Sequence, residues 1–342
     1  MDPKQFEQAL KFIIASVLPV MNCAGPASTV SVQYVGGEIL LVPPRDLRRC
    51  VLTARSLLGE VFGTVIDGVQ SNLVASERRI LALDALFGGR VGTSVDGRGT
   101  QRTLSGNPEA YRNAVSRSRE VLERRRNRNP GAIFVVDKQG LGNLLYEIET
   151  ASNRGYQLVL RPVFRGGRDV EQATIEELAD VFGRGFDAWA MKSAVRVEPF
   201  VHLLKRRLSV TAAGGAWSVC PFQRNCAEVS LDLEPDGTLY TCLDMADSGQ
   251  YPFGNALGGT FDADRWRELQ ARKTRVDPRC AACPWFSACQ GGCMSEAIHH
   301  VGSPYGRSDL CAVWTTLFRR IDRVIADHGS QEVTKWVRSL QG

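Results

Sequence analysis

No stretch of the 342 residues approaches the roughly 18 consecutive apolar positions that a membrane-spanning helix needs, so the sequence predicts no membrane partner. The opening residues, Met1-Asp2-Pro3-Lys4, also lack the charged-then-apolar pattern of a secretory signal, and a cytoplasmic location is the resulting expectation. The net charge of +5 is mild. Most of the arginine excess falls between Arg117 and Arg128, which predicts a helix with a solvated basic face ending at Asn129-Pro130. No aromatic platform or nucleic-acid motif accompanies that charge, so nucleic acid is not an expected partner. What is present is an ordinary globular composition, 44% hydrophobic and 23% charged, enough for one large domain and a small one.

Cysteine breaks the ordinary pattern. Ten cysteines are many for a reducing compartment, where disulfides are rare. Cys23 and Cys50 stand alone and are expected to be small buried apolar residues. The other eight crowd together: Cys220-x5-Cys226, then Gly237-x4-Cys242, then Cys280-x2-Cys283-x5-Cys289-x3-Cys293, then Cys311. Crowding of this kind points to metal ligation. Soft thiolates suit zinc, copper(I) or iron–sulfur clusters. Zinc is the serious competitor, because C-x2-C pairs are common in zinc sites, yet only one such pair occurs here. Eight thiolates would complete two closed sites, as natural for two [4Fe–4S] clusters as for zinc. Gly291 and Gly292 would let backbone N–H groups approach a cluster's sulfurs, and Pro284, Trp285 and Phe286 could exclude water. His299 and His300 are expected on a surface loop.

The first two hundred residues alternate β-rich and helical stretches. Strands are expected at 29–35, 64–70, 90–95, 132–136 and 157–161, with helices at 44–58, 75–87, 109–124, 141–152 and 175–186. That alternation predicts right-handed βαβ units and a parallel sheet, an α/β class. Ligands gather at the C-terminal edge of such sheets. Polar, glycine-rich segments fall there: Gly36-Gly37-Glu38, Gln70-Ser71-Asn72 and Ser94-Val95-Asp96-Gly97. A boundary is expected in the small-residue stretch 211–215, and an apolar stripe from 314 to 340 predicts one closing helix.

The cysteine and glycine pattern together resembles the SPASM domain of radical S-adenosylmethionine (SAM) enzymes, most closely anaerobic sulfatase-maturating enzymes and related peptide or protein maturases. The resemblance implies a partial (β/α) barrel over 1–210, a SPASM domain with two auxiliary clusters over 216–312, and a C-terminal helix over 313–342. It implies one [4Fe–4S] cluster on Cys220, Cys226, Cys242 and Cys293, and another on Cys280, Cys283, Cys289 and Cys311. Gly36-Gly37-Glu38 is similar to the family's Gly-Gly-Glu motif at the amino group of SAM, with Ile39 where a proline is usual. Ser94, Asp96-Gly97 and Arg102 resemble the later segment that handles the rest of SAM. Asp244 stands one residue beyond the family's catalytic aspartate position, which Leu243 occupies here.

One element of the pattern is not there. The family's catalytic cluster sits on Cys-x3-Cys-x2-Cys after the first strand; counted from Cys23, the equivalent positions are Ala27 and Val30. Residues 1–10 resemble the helix that normally follows that loop. The resemblance therefore implies a barrel missing its first strand, and a chain that as written performs no radical SAM chemistry. Its expected partners are a peptide or protein substrate, or a catalytically complete radical SAM subunit.

Overall fold

The computed structural model describes residues 1–95, 102–127, 129–163, 172–211 and 222–340. Six parallel strands form one sheet in sequence order: β1 (Gly25–Tyr34), β2 (Phe62–Ser71), β3 (Val91–Val95), β4 (Ala132–Val136), β5 (Leu158–Pro162) and β6 (Val197–Glu198). All pairings are parallel, as expected from helices inserted between successive strands. Every strand therefore ends at the same sheet edge.

The connecting helices form where the sequence supplies caps and a one-sided apolar face. After helix α1 (Pro3–Phe12), α2 (Pro44–Gly59) starts with proline in its first turn and buries Leu47, Val51, Ala54 and Leu58 against the sheet. Helices α3 (Glu77–Leu86) and α4 (Pro108–Arg126) follow, the latter capped by Asn107 and stopped by Asn127 in the left-handed region. After α5 (Leu144–Arg154), α6 (Ile175–Trp189) opens with a reciprocal Thr174–Glu177 capping box. Its apolar face then buries Leu178, Val181, Phe182, Phe186 and Trp189. Helix α7 (Phe200–Thr211) completes the barrel portion.

The basic stretch on α4 is only partly the solvated face expected of it. Arg126 turns inward, its Nε donating to Asp84 Oδ1 at 2.8 Å, and both side chains are less than a tenth exposed. Arg119 lies over the Tyr156 ring, 4.8 Å from its centroid. Cys23 and Cys50 are half-buried rather than fully buried.

The cysteine-rich region is a small four-stranded antiparallel sheet, β7 (Asp232–Leu233), β8 (Thr238–Tyr240), β9 (Gly254–Asn255) and β10 (Thr260–Phe261), with short helices around it. These include α8 (Leu243–Ser248), α9 (Ala263–Gln270) and α10 (Met294–Val301). The closing segment is two helices, not one. α11 (Cys311–His328) and α12 (Ser330–Ser339) meet at Gly329, whose φ of +79° cannot continue a right-handed helix. The turn brings Trp336 back onto Trp189, ring centroids 4.7 Å apart, with its Nε1 donating to the Ser193 carbonyl.

Both hydrophobic cores run through the expected boundary near 211–215, of which the described residues include only 211. One joins Phe182, Phe186 and Phe200 of the barrel to Ala288, Trp314, Leu317 and Phe318. The other joins Leu47, Val69 and Leu83 to Ala227, Met245, Trp266 and Ile298.

Candidate functional site

At the C-terminal edge of the sheet, Gly36 (φ +140°) and Gly37 form a turn directly after β1. Glu38 fixes that turn to the next strand. Its Oε1 accepts from Leu40 N at 2.9 Å and from Ser71 Oγ at 2.7 Å, and its Oε2 accepts from Asn72 N at 2.8 Å. Two of the glycine- and serine-rich strand ends are thus tied by one carboxylate. Ser94 is half-buried near the end of β3, and Arg102 is exposed beyond it. Asp96 and Gly97 lie outside the described residues.

The cysteines fall into two neighbourhoods. Cys280, Cys283, Cys289 and Cys311 line a single cavity of ≈ 120 Å³, together with Trp285, Phe286, Gly291 and Gly292. Local structure explains how four residues so far apart in the chain meet. Asp277 caps the turn Pro278–Ala281 that carries Cys280, and Cys283 N donates to the Cys280 carbonyl at 3.0 Å. Cys289 N donates to Trp285 O at 2.8 Å, closing the next turn. Gln290, Gly291 and Gly292 then take three successive positive φ angles, reversing the chain. A Cβ on Gly292 would lie 3.0 Å from the Ser308 Cβ, so the 308–311 segment is held close by the missing side chain. Trp285 stacks on Phe318 and donates from Nε1 to Asp322, walling one side.

Of the other four, Cys226 begins the turn Cys226–Val229, Cys242 precedes α8, and Cys293 precedes α10. Cys226 and Cys242 pack against the second core, and Cys293 is buried. Cys220 lies outside the described residues.

Burial raises the thiols of Cys226, Cys280 and Cys311, and pushes Cys289 up to about 12, with the neighbouring Cys311 adding to the shift. Protonated thiols in such a pocket become ligands only when a cation displaces their protons. Among the described residues, no three His, Cys, Asp or Glu side chains converge on a position for a single ion. A zinc site needs its sulfurs about 2.3 Å from one point. Four cysteines line one cavity, but the geometry alone does not assign them a metal. Close to these cysteines, Arg272 is fully buried, and its Nε has no hydrogen-bond partner.

Asp244 lies on α8 and pairs with Arg161 at the end of β5, joining the cysteine-rich region to the sheet edge. Asp247 is raised by burial and then by the Asp244 charge. Glu296, on α10, is pushed up to about 7 by burial and accepts from Ser308 Oγ. His299 and His300 are exposed, in the last turn of α10 rather than in a loop. Sequence reasoning missed Arg161, Arg272 and Glu296. None sits in a motif, and Arg272 is one among 42 basic residues.

No protein-family model matches the chain, and no curated protein matches it in sequence. Solved structures do. The structure of histidine-tagged anSMEcpe with bound AdoMet superposes with a TM-score of 0.73 at 17% identity, covering 98% of this chain and 89% of that one. Native anSMEcpe with bound AdoMet and the Cp18Cys peptide gives 0.73 at 17%, covering 96% and 91%. SuiB of Streptococcus suis bound to S-adenosylmethionine gives 0.53 at 15%, covering 91% and 70%. The shared feature is the fold: a partial parallel (β/α) barrel followed by a cysteine-rich SPASM-like region.

Proposed function

We propose that this chain is an iron–sulfur protein of the radical SAM/SPASM peptide- and protein-maturase lineage, holding two [4Fe–4S] clusters. Cys280, Cys283, Cys289 and Cys311 hold one, and Cys226, Cys242 and Cys293 hold the other together with Cys220. The observation that carries the reading is that four cysteines far apart in the chain line one walled cavity. When bound, such clusters supply one-electron transfer. Around them, Gly291 and Gly292 permit close backbone approach, Trp285 and Phe286 keep water away, and Arg161 holds Asp244 at the barrel edge. Gly36, Gly37, Glu38, Ser94 and Arg102 are the residues that would meet S-adenosylmethionine. Asp244 is the candidate proton acceptor on the substrate side, and a peptide or protein is the substrate class, as the peptide-bound anSMEcpe structure suggests.

These 342 residues contain no Cys-x3-Cys-x2-Cys motif, so they do not by themselves provide the open iron that cleaves SAM. The chain alone is therefore inactive in radical SAM chemistry. A second reading follows from β1. Among the described residues this ten-residue strand pairs with β2 alone, leaving an edge that a catalytically complete partner subunit could cover. In that reading the chain is an electron-transfer or scaffold partner.

Anaerobic reconstitution tests the proposal. A brown protein with about eight iron atoms per chain, forming no 5′-deoxyadenosine from SAM, is the expected result. A colourless protein that takes up zinc instead would overturn it. Co-purification from the native host separates the two readings: a strictly monomeric chain with no redox-active clusters rules out the partner role.

A further inference from the structure

Among the described residues, Arg272 is the most deeply buried charged side chain, with no exposed surface. It follows α9 and reaches the turn at Gly291 and Gly292, which lies between Cys289 of one neighbourhood and Cys293 of the other. Its Nη2 donates to the carbonyls of Gly291 at 3.0 Å and Gly292 at 3.2 Å, the residues between Cys289 and Cys293. Its Nη1 donates to the carbonyls of Pro304 and, at 3.2 Å, Gly306, in the segment leading to Cys311. One guanidinium thus cross-links the two loops that deliver Cys289, Cys293 and Cys311.

The hydrogen bonds satisfy geometry but not charge. All four acceptors are neutral carbonyls, and after burial itself the largest influences on the charge of Arg272 are cysteine sulfurs: Cys226 and Cys293 of one set, Cys280 and Cys289 of the other. A fully buried cation without a counter-charge is costly. A cluster held by four thiolates is a net anion, and the orphaned Nε is a donor available to sulfur.

We propose that Arg272 is a positioning residue shared by both clusters: its guanidinium locks the turn between the two ligand sets, supplies their common counter-charge and raises both reduction potentials. The inference rests on the cluster reading above. The sign follows from charge alone. Reduction adds an electron to each cluster, and a fixed cation nearby favours the more negative state. Nη2 donates to the carbonyl of Gly292, the residue next to Cys293, so the effect is larger on that residue's cluster.

The test uses the reconstituted full chain, with iron and sulfide counted and each cluster's reduction followed by electron paramagnetic resonance in a potentiometric titration. Variants lacking one ligand set (Cys293→Ala or Cys311→Ala) assign the signals. Arg272→Gln is expected to lower the reduction equilibrium of the Cys226/Cys293 cluster at least tenfold, which is about 59 mV for one electron. The other cluster shifts in the same direction by less, and Arg272→Lys, which keeps the charge, restores most of the shift. Arg272→Gln with full iron and unmoved potentials overturns the proposal. Should Arg272→Gln fail to load, Arg272→Lys decides. Loading with near-wild-type potentials supports the charge role, and failure to load assigns Arg272 to chain folding and overturns it. A wild-type chain that takes up no iron sinks the cluster reading itself, an outcome distinct from both.

Discussion

Replacing Glu38 by glutamine tests whether one carboxylate holds the glycine turn at the sheet edge. The carboxylate accepts three hydrogen bonds, from Leu40 N and Ser71 Oγ on one oxygen and from Asn72 N on the other. Hydrogen bonds to a charged acceptor contribute about 1.5–3 kcal/mol each, and an unsatisfied buried donor costs about 1–3 kcal/mol. Glutamine keeps one acceptor oxygen but sets an NH₂ donor against a second donor, so at least one amide loses its partner whichever way the side chain turns. Glu38 and Asn72 are half-buried, so water recovers part of the loss and the lower end applies, about 2 kcal/mol. The assay is amide hydrogen exchange of the turn. Whichever of the Leu40 and Asn72 amides faces the new NH₂ should exchange about 30-fold faster in Glu38→Gln, since about 1.4 kcal/mol is a factor of ten. If the turn also carries SAM, affinity for SAM falls with it. Both amides exchanging at wild-type rates in Glu38→Gln would refute the reasoning.

Cys311→Ala should remove about half the iron of the reconstituted chain while leaving the other cluster's spectrum in place, measured by iron assay and electron paramagnetic resonance. Gly292→Ala forces a side chain into the left-handed region and against Ser308, costing about 1–2 kcal/mol for the backbone alone, seen as a lower urea midpoint. His202 is lowered to about 4 by burial and by the nearby Arg206, Lys205 and Arg196, so the fold holds it neutral. Because its folded pKa is depressed below the ordinary 6.5, its contribution is present above that value and lost as pH falls toward 4. His202→Phe should flatten that part of the stability–pH curve, measured by urea unfolding at about pH 4.5 and 7.

The barrel was legible because its signals are long. The run 132–136 is all apolar or β-branched between Gly131 and Asp137, and its strand boundaries come out as read. β1 begins earlier than expected, at Gly25, because a register irregularity between Gly25 and Thr29 interrupts the alternation that marks a strand. The strands β7 to β10 left no trace, since two or three residues carry no period. The stripe from 314 to 340 keeps helical spacing across Gly329, so periodicity alone could not announce the break; the glycine's φ does. For the site, cysteine spacing marked the candidate ligands, but spacing along a chain says nothing about charge in three dimensions. Arg272 and Arg161 are brought to the site by packing, and no sequence pattern distinguishes them from solvated arginines.

The two hydrophobic cores that cross from barrel to cysteine region carry a consequence for how the molecule comes apart. Trp314, Leu317 and Phe318 belong to a helix whose first residue is Cys311, yet they pack with the barrel's own aromatic residues. Among the described residues, a cut between the two regions would divide both interiors, so the regions are expected to melt as one cooperative unit. Anything that binds the folded cysteine region stabilises the strands as well, by mass action through the shared interior. On the proposed cluster reading, stripping metal from the rim would therefore lower the melting temperature of the parallel sheet, and oxygen damage there would register as a fragile barrel.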